Sequence, residues 1–104
     1  MLKLSLDGRY VVFADQCNGE PFLFLNDLAF APNGDLYLTD SGILLDELAP
    51  NGELNPDYRN LQYDGRVYRA DVATGAVALL DRGLQFANGI AFGPDERLYV
   101  TETL

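Results

Sequence analysis

The chain has 104 residues and a net charge of −9, from seven Lys and Arg against sixteen Asp and Glu, and it contains no His. This acidic balance argues against a nucleic-acid partner, because phosphate binding needs a basic face, and against docking on an anionic membrane surface. The absence of His excludes a Ser-His-Asp triad and a thiol nucleophile paired with an internal His base. A hydrophobic fraction of 48% indicates a globular core.

The sequence carries no export or membrane signal. Cys17 is the single cysteine, so no intrachain disulfide can form and a reducing compartment is the simplest interpretation. The N-terminal apolar stretch is broken by Asp7 and Arg9, unlike a signal peptide. No apolar run approaches the ~20 residues of a membrane span. We therefore expect a cytoplasmic protein with no membrane partner.

Short apolar runs alternate with turn signals along the whole chain. Predicted strands flank four turns, at residues 6–9, 32–35, 73–75 and 94–97. Asn33-Gly34 is a strong two-residue hairpin signal, because both residue types accept a positive φ. No stretch of helical length keeps a 3.6-residue period. The pattern predicts about eight short strands and an all-β fold.

An internal repeat is the most informative feature of the sequence. The segments from Asn26 to Asp40 and from Asn88 to Glu102 align without a gap, 62 positions apart. The residue types Asn, Ala, Phe, Pro, Leu, Tyr and Thr recur identically in the two segments. A repeat this regular indicates that the same four-stranded unit is used twice, as in the blades of a β-propeller.

The strand count predicts a fragment of a β-propeller with about two blades. Residues 1–25 would end one blade, residues 26–81 would form a whole blade, and residues 88–104 would start the next. The long period is explained by residues 42–64, which carry no strand pattern. Closed propellers need roughly 4–8 blades. We therefore expect that the remainder of the propeller, from the same gene or by assembly, is a required partner.

Asn26 and Asn88 are the candidate site residues. Each immediately precedes the first strand of a predicted blade, and in a propeller that strand lines the central channel. An amide oxygen is a suitable ligand for Ca²⁺, which takes about 6–8 oxygens. The alternative is that each Asn makes a turn at the start of a strand.

The ordered series of motifs resembles the superfamily of gluconolactonase, senescence marker protein and luciferin-regenerating enzyme. The matching segments cover nearly the whole chain, and they are residues 18–21, 26–28, 36–42, 65–69, 88–92 and 98–103. The resemblance implies a six-bladed propeller with a divalent metal, usually calcium, in its channel. Many such proteins hydrolyse lactones of sugar acids, relatives hydrolyse organophosphates, and the related strictosidine synthase group has different chemistry.

The same resemblance implies roles for the two asparagines. Asn88 matches a metal ligand of the family, and Asn26 matches a channel residue that contacts substrate in some members and the metal in others. The family's Glu and Asp ligands have no matching position here, so no catalytic residue is assigned. Some sugar-lactone hydrolases carry Arg where this chain has Phe24, which makes a less polar substrate more plausible.

Other polar and aromatic residues have simpler predicted roles. Asp27 is expected to be a turn residue, with a channel role as the alternative. Asp40 and Glu102 are expected to cap equivalent strand ends, and Tyr37 and Tyr99 to pack in the core.

The segment of residues 42–64 is acidic, and in it only Arg59 opposes Asp46, Glu47, Glu53 and Asp57. It is expected to be either a solvated loop or a lid over the channel mouth. In a lid, the side chains that would contact substrate are Leu44, Leu45, Leu48 and Tyr58.

The sequence thus predicts part of a calcium-dependent, lactonase-type hydrolase that acts on a small lactone or ester-like substrate. This chain alone is not expected to bind the metal tightly. The alternatives are a non-catalytic propeller module that binds a ligand, and a truncated inactive product.

Overall fold

The computed structural model describes all 104 residues and is built almost entirely of strands. Ten strands occur in chain order: β1 (Leu2–Leu4), β2 (Tyr10–Val12), β3 (Gln16–Cys17), β4 (Glu20–Pro21), β5 (Leu25–Phe30), β6 (Leu36–Asp40), β7 (Gly65–Ala70), β8 (Val77–Leu84), β9 (Ala87–Phe92) and β10 (Leu98–Glu102). One helical turn, α1 (Leu45–Leu48), and two 3-10 turns, Pro50–Gly52 and Tyr58–Asn60, lie between β6 and β7. No helix is long or apolar enough to span a bilayer, and a cytoplasmic location stays a prediction.

The centre of the chain is one antiparallel four-stranded sheet with the order β5-β6-β7-β8. A hairpin of β1 and β2 precedes this sheet, and a hairpin of β9 and β10 follows it. The sheets do not close on one another. This confirms the predicted fold class, an all-β fragment of a β-propeller with one whole blade between parts of two others. The exact division of the chain into blades stays a prediction.

A small hairpin of β3 and β4 was not among the predicted strands. Its two-residue turn is Asn18-Gly19, where Asn18 has φ 52° and Gly19 has φ 84°. Positive φ at both central residues is the geometry that an Asn-Gly pair favours in a tight hairpin. The hairpin brings Cys17 onto the central sheet, where its Sγ lies 3.5 Å from the carbonyl oxygen of Val77.

The turn at Asn33-Gly34 joins two strands as predicted, but its geometry differs from the prediction. Only Gly34 has a positive φ, of 90°. The amide of Ala31 donates to Asp35 O at 2.8 Å, and the amide of Gly34 donates to Ala31 O at 2.9 Å. The loop therefore has three residues, Pro32 to Gly34, and is longer than the predicted two-residue turn. Pro32 fixes φ near −65° at the first loop position, and the positive φ falls on Gly34.

The core of the chain lies on the two central strands, β6 and β7, with Cys17 of β3 packed against them. Its buried apolar side chains are Cys17, Leu36, Leu38, Tyr68 and Ala70. Central strands are covered on both edges and both faces, whereas β1, β2 and β10 leave large apolar side chains in solvent; Val12, for example, is 62% exposed. Since only 16 of 104 residues are buried, much of the apolar surface is available to neighbouring blades.

The two equivalent tyrosines show what a neighbouring blade adds. Tyr37 packs edge-on against Phe92 of the following blade, with ring centroids 5.1 Å apart. This confirms the predicted packing role of Tyr37. Tyr99 has no such neighbour and is 56% exposed, so its packing role stays a prediction.

The segment from residue 42 to residue 64 leaves and re-enters the sheet through a narrow neck. The amide of Asp64 donates to Gly42 O at 3.0 Å. A Cβ on Gly42 would lie 2.1 Å from the backbone carbon of Asp64, and Gly42 has φ +80°. Only glycine therefore fits at this position without a backbone shift.

Four charged side chains join the neck to the blade edge. Asp64 accepts from both Arg66, at 3.3 Å, and Arg82, and Arg82 also pairs with Glu20 at 3.3 Å. The hydrogen bond from Arg82 is the main cause that lowers the pKa of Asp64 below its usual range, and the amide of Gly83 contributes in the same direction.

We predict that Gly42→Ala destabilises the chain far more than Gly52→Ala. The two glycines have the same φ of +80°, but a Cβ on Gly52 meets no atom within 4 Å. Gly52→Ala should therefore lower the free energy of unfolding by roughly 1–2 kcal/mol, because Ala is strained in a left-handed conformation. Urea denaturation of both variants measures the difference, and equal losses would show that the neck does not constrain Gly42.

We predict that Asp64→Asn flattens the dependence of stability on pH in acid. A carboxyl whose pKa is lowered on folding stabilises the fold fully above its unfolded value of about 3.9, and this contribution is lost as pH falls through the lower folded value. Because the Asp64 side chain is 36% exposed, the effect should stay below about 1 kcal/mol. Urea midpoints at pH 6 and pH 3 measure it, with the solvent-exposed Asp57→Asn as control. An identical loss of stability on acidification in wild type and Asp64→Asn would contradict it.

Candidate functional site

Asn26 and Asn88 lie in two β-bulges at equivalent positions. In the whole blade, Leu25 pairs with Asp40 and Leu28 pairs with Leu38, so β5 has one residue more than β6 between these pairs. The register between β9 and β10 shifts in the same way around Asn88. Bulges re-aim side chains and are frequent beside active sites. The repeat in the sequence is therefore a repeat of this bulge.

Each asparagine amide is held by a hydroxyl group. Asn26 Nδ2 donates to Ser41 Oγ at 3.0 Å, and Asn88 Nδ2 donates to Thr103 Oγ1 at 2.8 Å. The two hydroxyl residues are again 62 positions apart. In both cases the amide nitrogen is engaged, and Oδ1 accepts no hydrogen bond from the chain.

Two hydroxyl groups at the end of the whole blade join the two asparagine positions. Ser41 Oγ donates to Ala87 O at 2.9 Å, and Thr39 Oγ1 donates to Asn88 O. Thr39 and Ser41 are both fully buried. The backbone that carries Asn88 is therefore bonded directly to the blade that carries Asn26. The structure brings the two predicted site residues to adjacent strands, β5 and β9.

Asp27 lies in the first bulge and not in a turn, in contrast to its predicted role. Its Oδ2 accepts the amide hydrogen of Ile90 at 3.2 Å, and its Oδ1 accepts that of Leu28 at 2.8 Å. The turn prediction failed because the strand continues through the bulge, so the carboxylate reaches across to the next blade. Asp27 is a third tie between β5 and β9.

Asp40 closes its strand as predicted. Its carboxylate is fully buried and accepts the amide hydrogens of Leu23, Phe24 and Gly42 at 2.7, 3.0 and 2.8 Å. The equivalent Glu102 accepts the amide hydrogen of Gln85 at 2.6 Å. These carboxylates fix the chain segments that lead into the two asparagines.

Aromatic side chains flank the site. Phe24 and Phe86 are repeat equivalents, two positions before the asparagines, and their ring centroids are 6.2 Å apart. Tyr63 packs edge-on against Phe86 at 5.9 Å and joins the 42–64 segment to this strand. Phe86 has φ 57°, which is a strained conformation for a bulky residue.

The surroundings of Asn26 are mostly apolar. A cavity of about 240 Å³ is lined by Met1, Leu25, Asn26, Asp27, Leu28 and Leu38. No three His, Cys, Asp or Glu side chains converge anywhere in the chain. The chain itself thus offers amide oxygens, but no cluster of charged ligands. The assignment of Asn26 and Asn88 as ligands stays a prediction.

Sequence reasoning did not single out Ser41, Thr103 or Phe86. The repeat could have identified them. It extends by one Ser/Thr position beyond Asp40 and Glu102, and it also pairs Phe24 with Phe86 at the same spacing of 62 residues.

Leu44 and Leu45 are about half exposed, and the choice between a solvated loop and a lid over the channel mouth stays a prediction. Tyr63 carries the contact of this segment with the site.

Comparison with known proteins gives a match over almost the whole chain. Residues 3–104 match the SMP-30/Gluconolactonase/LRE-like region. The chain is 34% identical over 93 residues to a gluconolactonase of Zymomonas mobilis, which covers 88% of the chain and 24% of that protein.

Two further relatives extend the comparison. The chain is 31% identical to protein strictosidine synthase-like 4 of Arabidopsis thaliana, over 96% of the chain and 26% of that protein. It is 39% identical to lactonohydrolase oryH of Aspergillus oryzae, over 65% of the chain and 14% of that protein. The chain spans about a quarter of the length of the first two relatives named here.

We predict that Asp40→Asn costs roughly 2–3 kcal/mol of stability, because an amide NH2 would face backbone donors in a buried position. Glu102→Gln, at the exposed equivalent position, should cost below about 0.5 kcal/mol. Urea denaturation of the two variants measures both values. A loss for Glu102→Gln as large as that for Asp40→Asn would contradict this account of the strand ends.

Proposed function

The chain belongs to the SMP-30/gluconolactonase/LRE-like family, and from this premise we propose that it is part of a calcium-dependent, lactonase-type hydrolase. The observation that carries the proposal is the pair of asparagine amides, repeated in two bulges on adjacent strands with both oxygens free. Relatives named gluconolactonase and lactonohydrolase support a lactone as the substrate.

The residues of this chain could supply some of the ligands of a calcium site. Ca²⁺ prefers hard oxygen ligands, of which it takes about 6–8. Asn26 and Asn88 offer one neutral oxygen each, because their amide nitrogens are engaged by Ser41 and Thr103. The remaining ligands, including the negative charge, would come from water and from other blades of the propeller. The affinity of this chain alone for Ca²⁺ should therefore be weak.

The chain's own residues would orient the reacting group. A bound divalent cation polarises a carbonyl oxygen and lowers the pKa of bound water. Asn88 would hold the cation, and Asn26 Oδ1 would accept from an O–H group of the substrate or its bound water, or would hold the cation as well. The backbone ties from Thr39 and Ser41 to the strand of Asn88 would keep these two groups at a fixed separation. The general base is not assigned to any residue of this chain.

The apolar surroundings favour a substrate of low polarity. Phe24 packs against Phe86 two positions before the asparagines, and four of the six residues that line the cavity beside Asn26 are hydrophobic. An apolar lining stabilises a hydrocarbon ring or chain better than a polyhydroxylated sugar, whose hydroxyl groups would lose their hydration without new partners. We infer a small, weakly polar lactone or cyclic ester.

Calcium titration of the isotope-labelled chain, followed by NMR, tests this function. We expect the side-chain amide signals of Asn26 and Asn88 to shift together and to saturate with an affinity near the weak limit of protein calcium sites, about 10⁻³ M. Asn88→Leu should abolish the shift at Asn26. The matched control is Asn60→Leu, which removes an exposed Asn of the 42–64 segment and should change nothing at Asn26.

Unchanged amide signals at both asparagines, or shifts at Asn26 that survive Asn88→Leu, would contradict the calcium site. The chain would then be better described as a ligand-binding propeller module or as an inactive product. Light scattering before the titration reports the mass of the species that binds. Tight binding by a monomer would show that this chain supplies all the ligands that the site needs.

A further inference from the structure

A hydroxyl residue follows each candidate ligand at the same distance in sequence and space. Ser41 lies 15 residues after Asn26, and Thr103 lies 15 residues after Asn88. The hydrogen-bond lengths to the asparagine Nδ2 atoms are 3.0 and 2.8 Å. Ser and Thr share only the hydroxyl group and a small size, so the recurring feature is the hydroxyl.

The proton of Ser41 determines which side of the Asn26 amide faces the hydroxyl. Ser41 Oγ donates its single hydrogen to Ala87 O at 2.9 Å, and so it has only lone pairs left for Asn26. An amide oxygen facing those lone pairs would be repelled. Asn26 must therefore present its NH2 group to Ser41 and turn Oδ1 to the opposite side.

Ser41 is held by burial and by hydrogen bonds, whereas Asn26 is not held by packing. Ser41 is fully buried, and its amide donates to Phe24 O at 2.8 Å. Asn26 is exposed, and without a partner its side chain would sample several rotamers. The buried hydroxyl thus limits the orientation of an otherwise free amide.

We propose that Ser41 and Thr103 are positioning residues, which orient the side-chain amides of Asn26 and Asn88 so that both Oδ1 atoms are presented to a bound cation or to an O–H donor of a bound ligand. This inference rests on the proposed function for the identity of the ligand, but not for the orientation of the amides. Residues that hold the ligands of a metal change its affinity by about 10- to 100-fold when removed.

The repeat supplies matched variants for the test. Ser41→Ala and Thr103→Val remove the hydroxyl groups with small changes in volume. Ser41→Thr and Thr103→Ser exchange each residue for the one at the equivalent position and keep the hydroxyl. The first readout is the NMR signal of the Asn side-chain NH2 groups without calcium, in particular their hydrogen exchange and rotation about the C–N bond. The second readout is the apparent Kd for Ca²⁺.

We expect Ser41→Ala to speed amide exchange and rotation at Asn26 and to weaken calcium binding about 10-fold, and Thr103→Val to do the same at Asn88. Thr103→Ser, at the exposed position, should behave like the wild type, whereas Ser41→Thr adds a methyl group at a fully buried position. Unchanged amide signals in Ser41→Ala and Thr103→Val would overturn the proposal, as would equal effects of the valine and serine variants at position 103. If the wild type binds no Ca²⁺, the proposed function fails, and the amide signals still decide the role of the two hydroxyl groups.

Discussion

The buried hydroxyl groups of Thr39 and Ser41 are the constraint on which the site depends. They stand at the end of β6, and they donate to the carbonyl oxygens of Asn88 and Ala87 in the next blade. Within one blade the backbone groups of neighbouring strands bond to one another. The two hydroxyl bonds instead join one blade to the backbone of the next. Asp27 adds a third bond in the same place, to the amide of Ile90.

The same motif is seen twice, once with a following blade and once without. Thr39, Asp40 and Ser41 are fully buried, whereas their equivalents Thr101, Glu102 and Thr103 are exposed. The local bonds nevertheless recur: the amide of Asp27 donates to Thr39 Oγ1 at 3.2 Å, and that of Gly89 donates to Thr101 Oγ1 at 2.9 Å. Each hairpin therefore forms the bulge without help from another blade. The strand-end residues become buried only where a following blade packs against them.

Much of this arrangement could be predicted from the sequence, because a repeat preserves both strand positions and bulge positions. The equivalent positions of the two asparagines and of the strand-end carboxylates followed from it. The hairpin at Asn18-Gly19 and the three-residue loop at Pro32 were not predicted correctly, since turn geometry depends on neighbouring residues as well as on the Asn-Gly pair. Ser41 was missed because its importance lies in a bond to Ala87, a contact between blades that no local pattern specifies.

The most direct test of this account is the hydrogen exchange rate of the Ile90 amide, which donates across the blades to Asp27. Thr39→Val keeps the volume of the side chain but removes the bond to Asn88 O, and a buried bond of this kind is worth about 1 kcal/mol or more. The account predicts that Thr39→Val speeds the exchange of Ile90 several-fold, whereas Thr101→Val, at the exposed equivalent position, leaves it unchanged. Equal exchange rates in Thr39→Val and the wild type would contradict it, because β9 would then be held without the hydroxyl groups of the preceding blade.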